Sequence, residues 1–402
     1  MHEPVWTQWP KFDKLAIGKA MQEFGKSGRW DMNYRRSEET EKAAEEVQKE
    51  IADFAGMEHC LLFDSGSSAI SVSCEAVARA RKGKSVELTP EDIFIVPSFT
   101  YRGTDAAVLK AGGSSAIVDV NEKTYTLDPN RVADVMNPRV LGVIPVAIFG
   151  LPADTEALLQ VIKDASEKYG HKIFLISDNC QAPDATEEGR MAGANGDIVT
   201  LSLQQSKQLT AGAGGVILTN DDKLAEYSSD AYNKGRAGFE GDIGANTQGM
   251  NHRFHGAIVS IVSEQLKLFP KQIRNRTINM LYLSSLLWHE GALILPPFTP
   301  GCGLHIYALR VPPEIRDEFV RILKEEYKIP TVSPGYSQTL HQNPDLQNSR
   351  HIIYPCPVTE AIQESQVWFK HQLFLSENAQ QGRRNMRYLA NAILETLTRL
   401  LT

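Results

Sequence analysis

Lys207 lies in the segment Ser202-Leu-Gln-Gln-Ser-Lys207-Gln-Leu-Thr-Ala-Gly-Ala-Gly-Gly215, and Asp178 heads Asp178-Asn-Cys-Gln181. A lysine held on a short turn after a strand can form a Schiff base with an aldehyde once a buried setting lowers its pKa toward the neutral amine. The small residues that follow let backbone and ligand approach closely. Asp178 closes the apolar run Lys172-Ile-Phe-Leu-Ile-Ser-Asp178, which reads as a buried strand. A carboxylate there can keep a pyridine nitrogen protonated, so that the ring accepts electrons when a Cα proton leaves. Taken singly, the two residues read as a surface lysine and a helix-capping aspartate. Their pairing, with two elements upstream, points instead to pyridoxal 5'-phosphate (PLP) as cofactor.

The first of those elements is Leu61-Leu-Phe-Asp-Ser65-Gly66-Ser67-Ser68-Ala-Ile70, an apolar strand running into a small hydroxylated turn and a helix from Ser67 to about Lys82. Free amides at the helix start, its positive dipole end and the hydroxyls of Ser67 and Ser68 can all donate to a dianionic phosphate. The second is Pro97-Ser-Phe-Thr-Tyr101 after the strand 93–96, where the Tyr101 ring can stack on a pyridine face.

Positioning these groups requires a sheet. Apolar runs at 60–64, 93–96, 115–120, 140–149, 173–177, 198–203 and 215–218 alternate with helical patterns such as Thr155–Tyr169 and Asp222–Asn233. That alternation predicts an α/β fold with a mostly parallel sheet, helices on both faces and ligand groups at the strand ends. Ser37 is expected to cap a helix from Glu38 to about Phe54, ended by Gly56. A long helical pattern from about 255 to 289, interrupted by Pro270, links this large domain, residues 1–255, to a small C-terminal α+β domain within 256–402. In the latter a strand at 304–310 precedes a helix at 315–327, and a leucine-patterned helix at 382–401 ends it. The substrate cleft is expected between the two.

With these motifs in hand, the chain resembles the DegT/DnrJ/EryC1/StrS family of fold-type I, PLP-dependent aminotransferases, which install amino groups on keto sugars and cyclitols. The matching stretches are Ser27-Gly-Arg-Trp30, Ser65-Gly66-Ser67, Pro97-Ser-Phe-Thr-Tyr101, Val118-Asp-Val120 with Thr126-Leu-Asp128, and Ile144-Pro-Val146 with Phe149-Gly150. They continue through Pro152-Ala-Asp154, Asp178-x-x-Gln181, Gly196-Asp197, Ser202 to Lys207, and Gly249-Met-Asn251-His-Arg253. The resemblance implies Lys207 as Schiff-base lysine and general base, and Asp178 as partner of the pyridinium. It also implies Gln181 on the ring hydroxyl, Gly66, Ser67 and Ser202 on the phosphate, and Tyr101 over the ring. Asn251 would reach the phosphate of a neighbouring subunit, which implies a homodimer with shared active sites. The segment Ser202 to Lys207 is similar to the branch that aminates scyllo-inosose-type ketones during antibiotic biosynthesis. Ping-pong transfer from L-glutamine or L-glutamate is the activity implied.

Two departures bear on the acceptor. Ala213 stands where the family usually carries a glutamate, and Arg102 follows Tyr101 where a small apolar residue is common. One carboxylate fewer and one cation more shift the site toward an anionic acceptor, with Arg102 as its expected partner. Arg253 is a candidate for the donor's α-carboxylate, and His341 and Tyr336, in a small-domain loop, are candidates to approach the acceptor.

Among 402 residues, 42% are hydrophobic and 23% charged, and the net charge is -7, which gives no support to nucleic-acid or anionic-membrane binding. The cysteines at 60, 74, 180, 302 and 356 show no C-x-x-C spacing, which argues against a zinc site or a disulfide framework and fits a reducing cytoplasm. No leader-like start and no apolar run of about 18 residues are seen, so neither secretion nor membrane spanning is expected. Two alternatives stay open at this stage. One is an aminodehydratase similar to 3-amino-5-hydroxybenzoate synthase; the other is a non-catalytic PLP-binding regulator, for which no separate basic recognition helix is evident.

Overall fold

The computed structural model describes residues 4–26, 38–232, 249–298, 301–344 and 350–402. The Ser27-Gly-Arg-Trp30 motif and the Ser37 cap lie outside the described residues. Helices α1 (Lys14–Lys26) and α2 (Glu38–Ala55) precede β1 (His59–Phe63) and α3 (Gly66–Lys82). Alternation continues through β2 (Ile93–Pro97), α4 (Gly103–Ala111), β3 (Ser114–Val118), α5 (Pro129–Val135), β4 (Val140–Val143), α6 (Thr155–Tyr169) and β5 (Phe174–Asp178). A short hairpin, β6 (Thr186–Glu187) and β7 (Arg190–Met191), leads to β8 (Ile198–Ser202), β9 (Gly215–Thr219) and α7 (Asp222–Tyr232). The long α8 (Gly256–Leu287) is followed by β10 (Ile306–Arg310), α9 (Arg316–Glu325) and β11 (Val332–Ser333). The chain then passes through β12 (His351–Ile353), α10 (Pro357–Ser365) and β13 (Gln366–Lys370) to α11 (Ala379–Leu401).

The large sheet has the order β1-β9-β8-β5-β4-β2-β3-β12. It is parallel from β8 to β12, while β9 runs antiparallel to both β8 and β1. Every residue of β2, β3, β4, β5, β8 and β9 is buried, which is why these strands read as continuous apolar runs rather than alternating ones. Successive side chains go to opposite faces. Phe94 and Val96 enter one core with Ile70 and Val77 of α3, whereas Ile93 and Ile95 enter another with Val132 of α5 and Leu158 of α6. The two faces are thus covered by different helices, as the fold class requires.

A second, three-stranded antiparallel sheet, β10-β13-β11, carries its own core. Tyr307, Leu309, Val367 and Phe369 from the sheet meet Phe319 of α9 and Leu389 and Ile393 of α11 there. Three expectations are revised. The run 140–149 is a strand only to Val143; beyond it the chain is buried but irregular, ending in a single 3₁₀ turn at 148–150. α8 is continuous through Pro270. Pro removes one helical N–H and crowds the preceding turn, but Val262 and Phe269 anchor the first half in the large-domain core and Met280, Leu283 and Leu287 anchor the second half in the small one. Residues 351–353, beyond the expected division at 255/256, return to the large sheet as a parallel edge strand beside β3. Among the described residues no helix is long and apolar enough to cross a membrane, and all five cysteines are free thiols.

Candidate active site

A cavity of about 470 Å³ opens between the carboxyl ends of β5 and β8, the start of α3 and the small sheet. Asp178, the last residue of β5, is 3% exposed and faces it. Its backbone is fixed on both sides, the N–H donating to Pro145 O at 2.9 Å and the C=O accepting from Ala147 N at 3.0 Å. The carboxylate is held at both oxygens: Oδ2 accepts from Thr104 Oγ1 at 2.7 Å and Oδ1 from the Cys180 amide at 3.1 Å. Two such donors fix the direction of the carboxylate.

Lys207 lies on the loop between β8 and β9, whose turn is closed by Lys207 N donating to Gln204 O at 2.9 Å. Burial lowers its pKa from the ordinary lysine value, against the opposing attraction of Cys180 and Asp178. The amine is therefore shifted toward its nucleophilic form while a carboxylate faces the same cavity. The adjacent Gln208 donates from Nε2 to Gln181 O at 2.7 Å, coupling the lysine loop to the turn after β5.

The α3 start completes this side of the cavity. A Cβ on Gly66 would come 2.9 Å from Ser202 Cβ, so only glycine admits the Ser202 hydroxyl beside this amide. Ser65, Gly66, Ser67 and Ser202 all line the cavity. Ser68, expected to join them, does not. Ser65 is the N-cap: its Oγ accepts from Ser68 N at 3.1 Å and pairs with Ser68 Oγ at 2.9 Å, so both polar groups of Ser68 are committed to closing the helix.

Gln181 presents its amide from a constrained position. Its Oε1 accepts from Phe149 N at 3.1 Å, and Phe149 has φ +63°, a left-handed conformation that costs a bulky residue strain. The turn persists because Phe149 is wedged among Phe99, Tyr125 and Trp368, at ring separations of 5.8, 6.2 and 5.0 Å.

Of the residues read from the sequence, the cavity brings together Gly66, Ser67, Tyr101, Asp178, Gln181, Ser202, Lys207, Ala213 and Tyr336. Tyr101 is at the mouth, 65% exposed. Arg102 is exposed at the start of α4 and does not line the cavity. Arg253 is half-buried beside Phe63 and Asn251 is exposed, both also outside it. His341 is turned away: Nε2 pairs with Glu360 at 3.1 Å and Nδ1 with Thr339 Oγ1 at 3.2 Å. The sequence reading missed Thr104, His305, Trp368 and Lys370. Thr104 carried a local signal, being in the first turn of the helix that follows Tyr101; the other three are brought in by β10 and β13, whose pairing joins residues some sixty positions apart.

The model of the DegT/DnrJ/EryC1/StrS aminotransferase family matches residues 16–382. The chain is 27% identical over 361 residues to the L-glutamine:2-deoxy-scyllo-inosose aminotransferase of Streptoalloteichus tenebrarius, covering 84% of this chain and 79% of that protein. It is 25% identical to the 3-amino-5-hydroxybenzoate synthase of Amycolatopsis mediterranei, over 93% of each. Among solved structures, a 3-amino-5-hydroxybenzoic acid synthase superposes with a TM-score of 0.84 at 24% identity, over 98% of this chain and 100% of that one. The fold is that of the fold-type I aminotransferases, and the chain belongs to the DegT/DnrJ/EryC1/StrS aminotransferase family.

Proposed function

We propose that this aminotransferase binds PLP in the cavity at Lys207 and moves an amino group from L-glutamine or L-glutamate to the ketone of a keto cyclitol or keto sugar. The observation that carries the reading is the meeting of Lys207, Asp178 and the α3 N-terminus at one cavity. The fit to a phosphorylated pyridine is specific in kind: a helix start with no side chain at Gly66, an anchored carboxylate and a lysine whose ammonium is disfavoured.

Bound there, the cofactor would supply an electron sink for the carbon that exchanges its amino group. Gly66, Ser67 and Ser202 would hold its phosphate at the positive end of α3. Asp178 would keep a proton on the ring nitrogen, its carboxylate oriented by Thr104 and the Cys180 amide. Gln181, with its oxygen taken by Phe149 and its side chain also meeting the Tyr336 hydroxyl, would donate from its NH₂ to the ring hydroxyl. Lys207 Nζ, desolvated, serves as the nucleophile and as the base that carries a proton between carbon centres. Tyr336, Trp368 and Ile306 exclude water from the acceptor side. Apart from Lys207, the cation lining the cavity among the described residues is Lys370, which we assign to an anionic group of donor or acceptor.

A homodimer is part of the proposal. Asn251, exposed and outside its own cavity, would serve the phosphate of the partner subunit. The cytoplasm is the compartment proposed, in keeping with five free thiols. Relatives named for amino transfer to inososes and to a dTDP-linked sugar favour transfer over the aminodehydratase alternative.

The test is the visible absorption of the purified protein with PLP before and after L-glutamine, followed by analysis of products from keto cyclitols and nucleotide keto sugars. Bleaching by glutamine and an aminated product that keeps its ring hydroxyls support the reading. A band indifferent to glutamine and glutamate refutes the donor assignment, and an aromatic product refutes simple transfer.

A further inference from the structure

The chain leaves the large sheet at Ser202 and rejoins it at Gly215; in the intervening loop the carbonyls of Leu203, Gln204, Gly212 and Gly214 accept from backbone amides, while other loop carbonyls are left to side-chain donors. Three of those around Lys207 are each met by a side chain from a distant part of the molecule. Trp9 Nε1 donates to Gln205 O at 2.8 Å, His371 Nε2 to Ser206 O at 2.9 Å, and Arg276 Nη2 to Gln208 O at 3.4 Å. The donors come from the N-terminal arm, the turn after β13 and α8. They also touch one another, the Trp9 ring standing edge-on to His371 at 4.7 Å and lying 5.1 Å from the Arg276 guanidinium. Because the partner of His371 is a carbonyl, Nε2 must carry the proton.

Such an arrangement is expensive. Arg276 is 0% exposed, and among the described residues its Nε and Nη1, like Nδ1 of His371, have no hydrogen-bond partner. Burial lowers the guanidinium pKa to about 10, with Asp184 opposing, and burial beside Arg276 drives His371 well below the ordinary histidine value. Lys207, Lys370 and the stacked ring of His305 also face this imidazole, and none favours its protonation. Apolar side chains would fill the same space at lower cost. What they would not do is grip the loop.

We propose that Trp9, His371 and Arg276 are positioning residues, forming a clamp that fixes the backbone on both sides of Lys207 and so holds its amine in the buried orientation facing Asp178. The inference rests on Lys207 being the cofactor lysine, and it goes beyond that reading by assigning three residues outside the cavity lining to the behaviour of the amine. His371 acts as a neutral donor throughout, and the clamp joins the N-terminal arm and the small domain to the catalytic loop.

The test measures the amine itself. Apo protein is acylated with acetic anhydride across a pH series, and modification of Lys207 is read by peptide mass spectrometry. His371→Leu is expected to raise the pH midpoint by about one unit as the amine relaxes toward its ordinary value, and to lower kcat about tenfold with the donor KM nearly unchanged. His371→Gln, which retains an N–H at the same reach, restores both. A folded His371→Leu protein with the wild-type midpoint overturns the proposal. Should that variant fail to fold by circular dichroism, Trp9→Phe decides the matter: it keeps the ring and removes the donor, and amide exchange across 204–209 is expected to quicken several-fold, unchanged exchange overturning the clamp. A wild-type protein on which borohydride fixes no PLP at Lys207 would refute the cofactor assignment separately, leaving the labelling to decide the clamp.

Discussion

The two walls of the cavity are built on different principles. The wall formed by β5, β8 and α3 is a set of strand ends and a helix start in which the anchoring polar groups are held by hydrogen bonds: Asp178 by Thr104 and Cys180, and Ser65 by Ser68. The facing wall, from the small sheet and its loop, is aromatic. Tyr336 stands edge-on to Trp368 at 4.7 Å and to Phe99 at 5.5 Å, and Lys370 is its exposed charge. Chemistry that requires sub-ångström placement of charge sits on the rigid sheet. On the proposed assignment, recognition of a ring-shaped acceptor would fall to surfaces that shape and exclude water, and these belong to the smaller unit. The difference teaches that variants of the first wall should change rate for every acceptor, whereas variants of the second should change preference among acceptors.

The sharpest break comes from Lys207→Ala. Loss of the nucleophile and proton carrier is expected to lower kcat by roughly 10⁴-fold or more, while PLP still binds and borohydride no longer fixes it to the chain. Full turnover in this variant would remove the first wall's claim to the chemistry. Asp178→Asn keeps the shape and hydrogen-bonding reach of the side chain but cannot hold a ring proton electrostatically. We expect a loss of roughly 10² to 10⁴-fold in the rate of Cα proton removal, measured by solvent isotope exchange, with little change in melting temperature. Unchanged exchange would reduce Asp178 to a strand-end cap.

How much of each wall was legible in the sequence follows from the same contrast. The first wall is local. The run ending at Asp178, the Ser65-Gly66-Ser67 turn and the Lys207 loop announce themselves within ten residues each, and α6 matched its expected ends because Asp154 caps one and Gly170, at φ +73°, stops the other. Even so, Ser68 was misread, because sequence alone does not say which of the serines at 65, 67 and 68 closes the helix. The run 140–149 was overextended for a similar reason: a buried irregular segment is as apolar as a buried strand. The second wall is assembled by non-local pairing. Trp368 and Lys370 reach the cavity through the register that sets Ile306 against Lys370 and Ala308 against Trp368, and no spacing in the sequence encodes that register. Arg102 was read as a site residue from a departure in pattern, yet the helix start that carries it turns it to solvent.

The buried amine also leaves a mark on stability. Because burial lowers the pKa of Lys207 in the folded protein, the unfolded chain binds more protons than the native one between that lowered value and the ordinary lysine value near 10.5. The destabilising contribution is fully present below the folded pKa and fades as pH rises toward 10.5. Lys207→Met, close in volume, is therefore expected to melt higher than the wild-type apo protein at pH 7, with the gap narrowing by pH 10. A gap independent of pH would mean that the ammonium is solvated in the native state.

The finest discrimination is between two cations that sequence and structure rank oppositely. Lys370→Ala is expected to raise the KM of an anionic donor or acceptor about tenfold, equivalent to about 1.4 kcal/mol of binding, with a smaller effect on neutral cyclitol ketones. Arg102→Ala should leave both constants within about twofold, since an exposed charge outside the cavity acts on a bound anion only through screened solvent. The reverse result, a KM that depends on Arg102 and ignores Lys370, would mean that the acceptor's charge lies at the mouth beside Tyr101 rather than against the small sheet. The division of labour between the two walls would then have to be redrawn, with the large domain reading the acceptor as well as performing the chemistry.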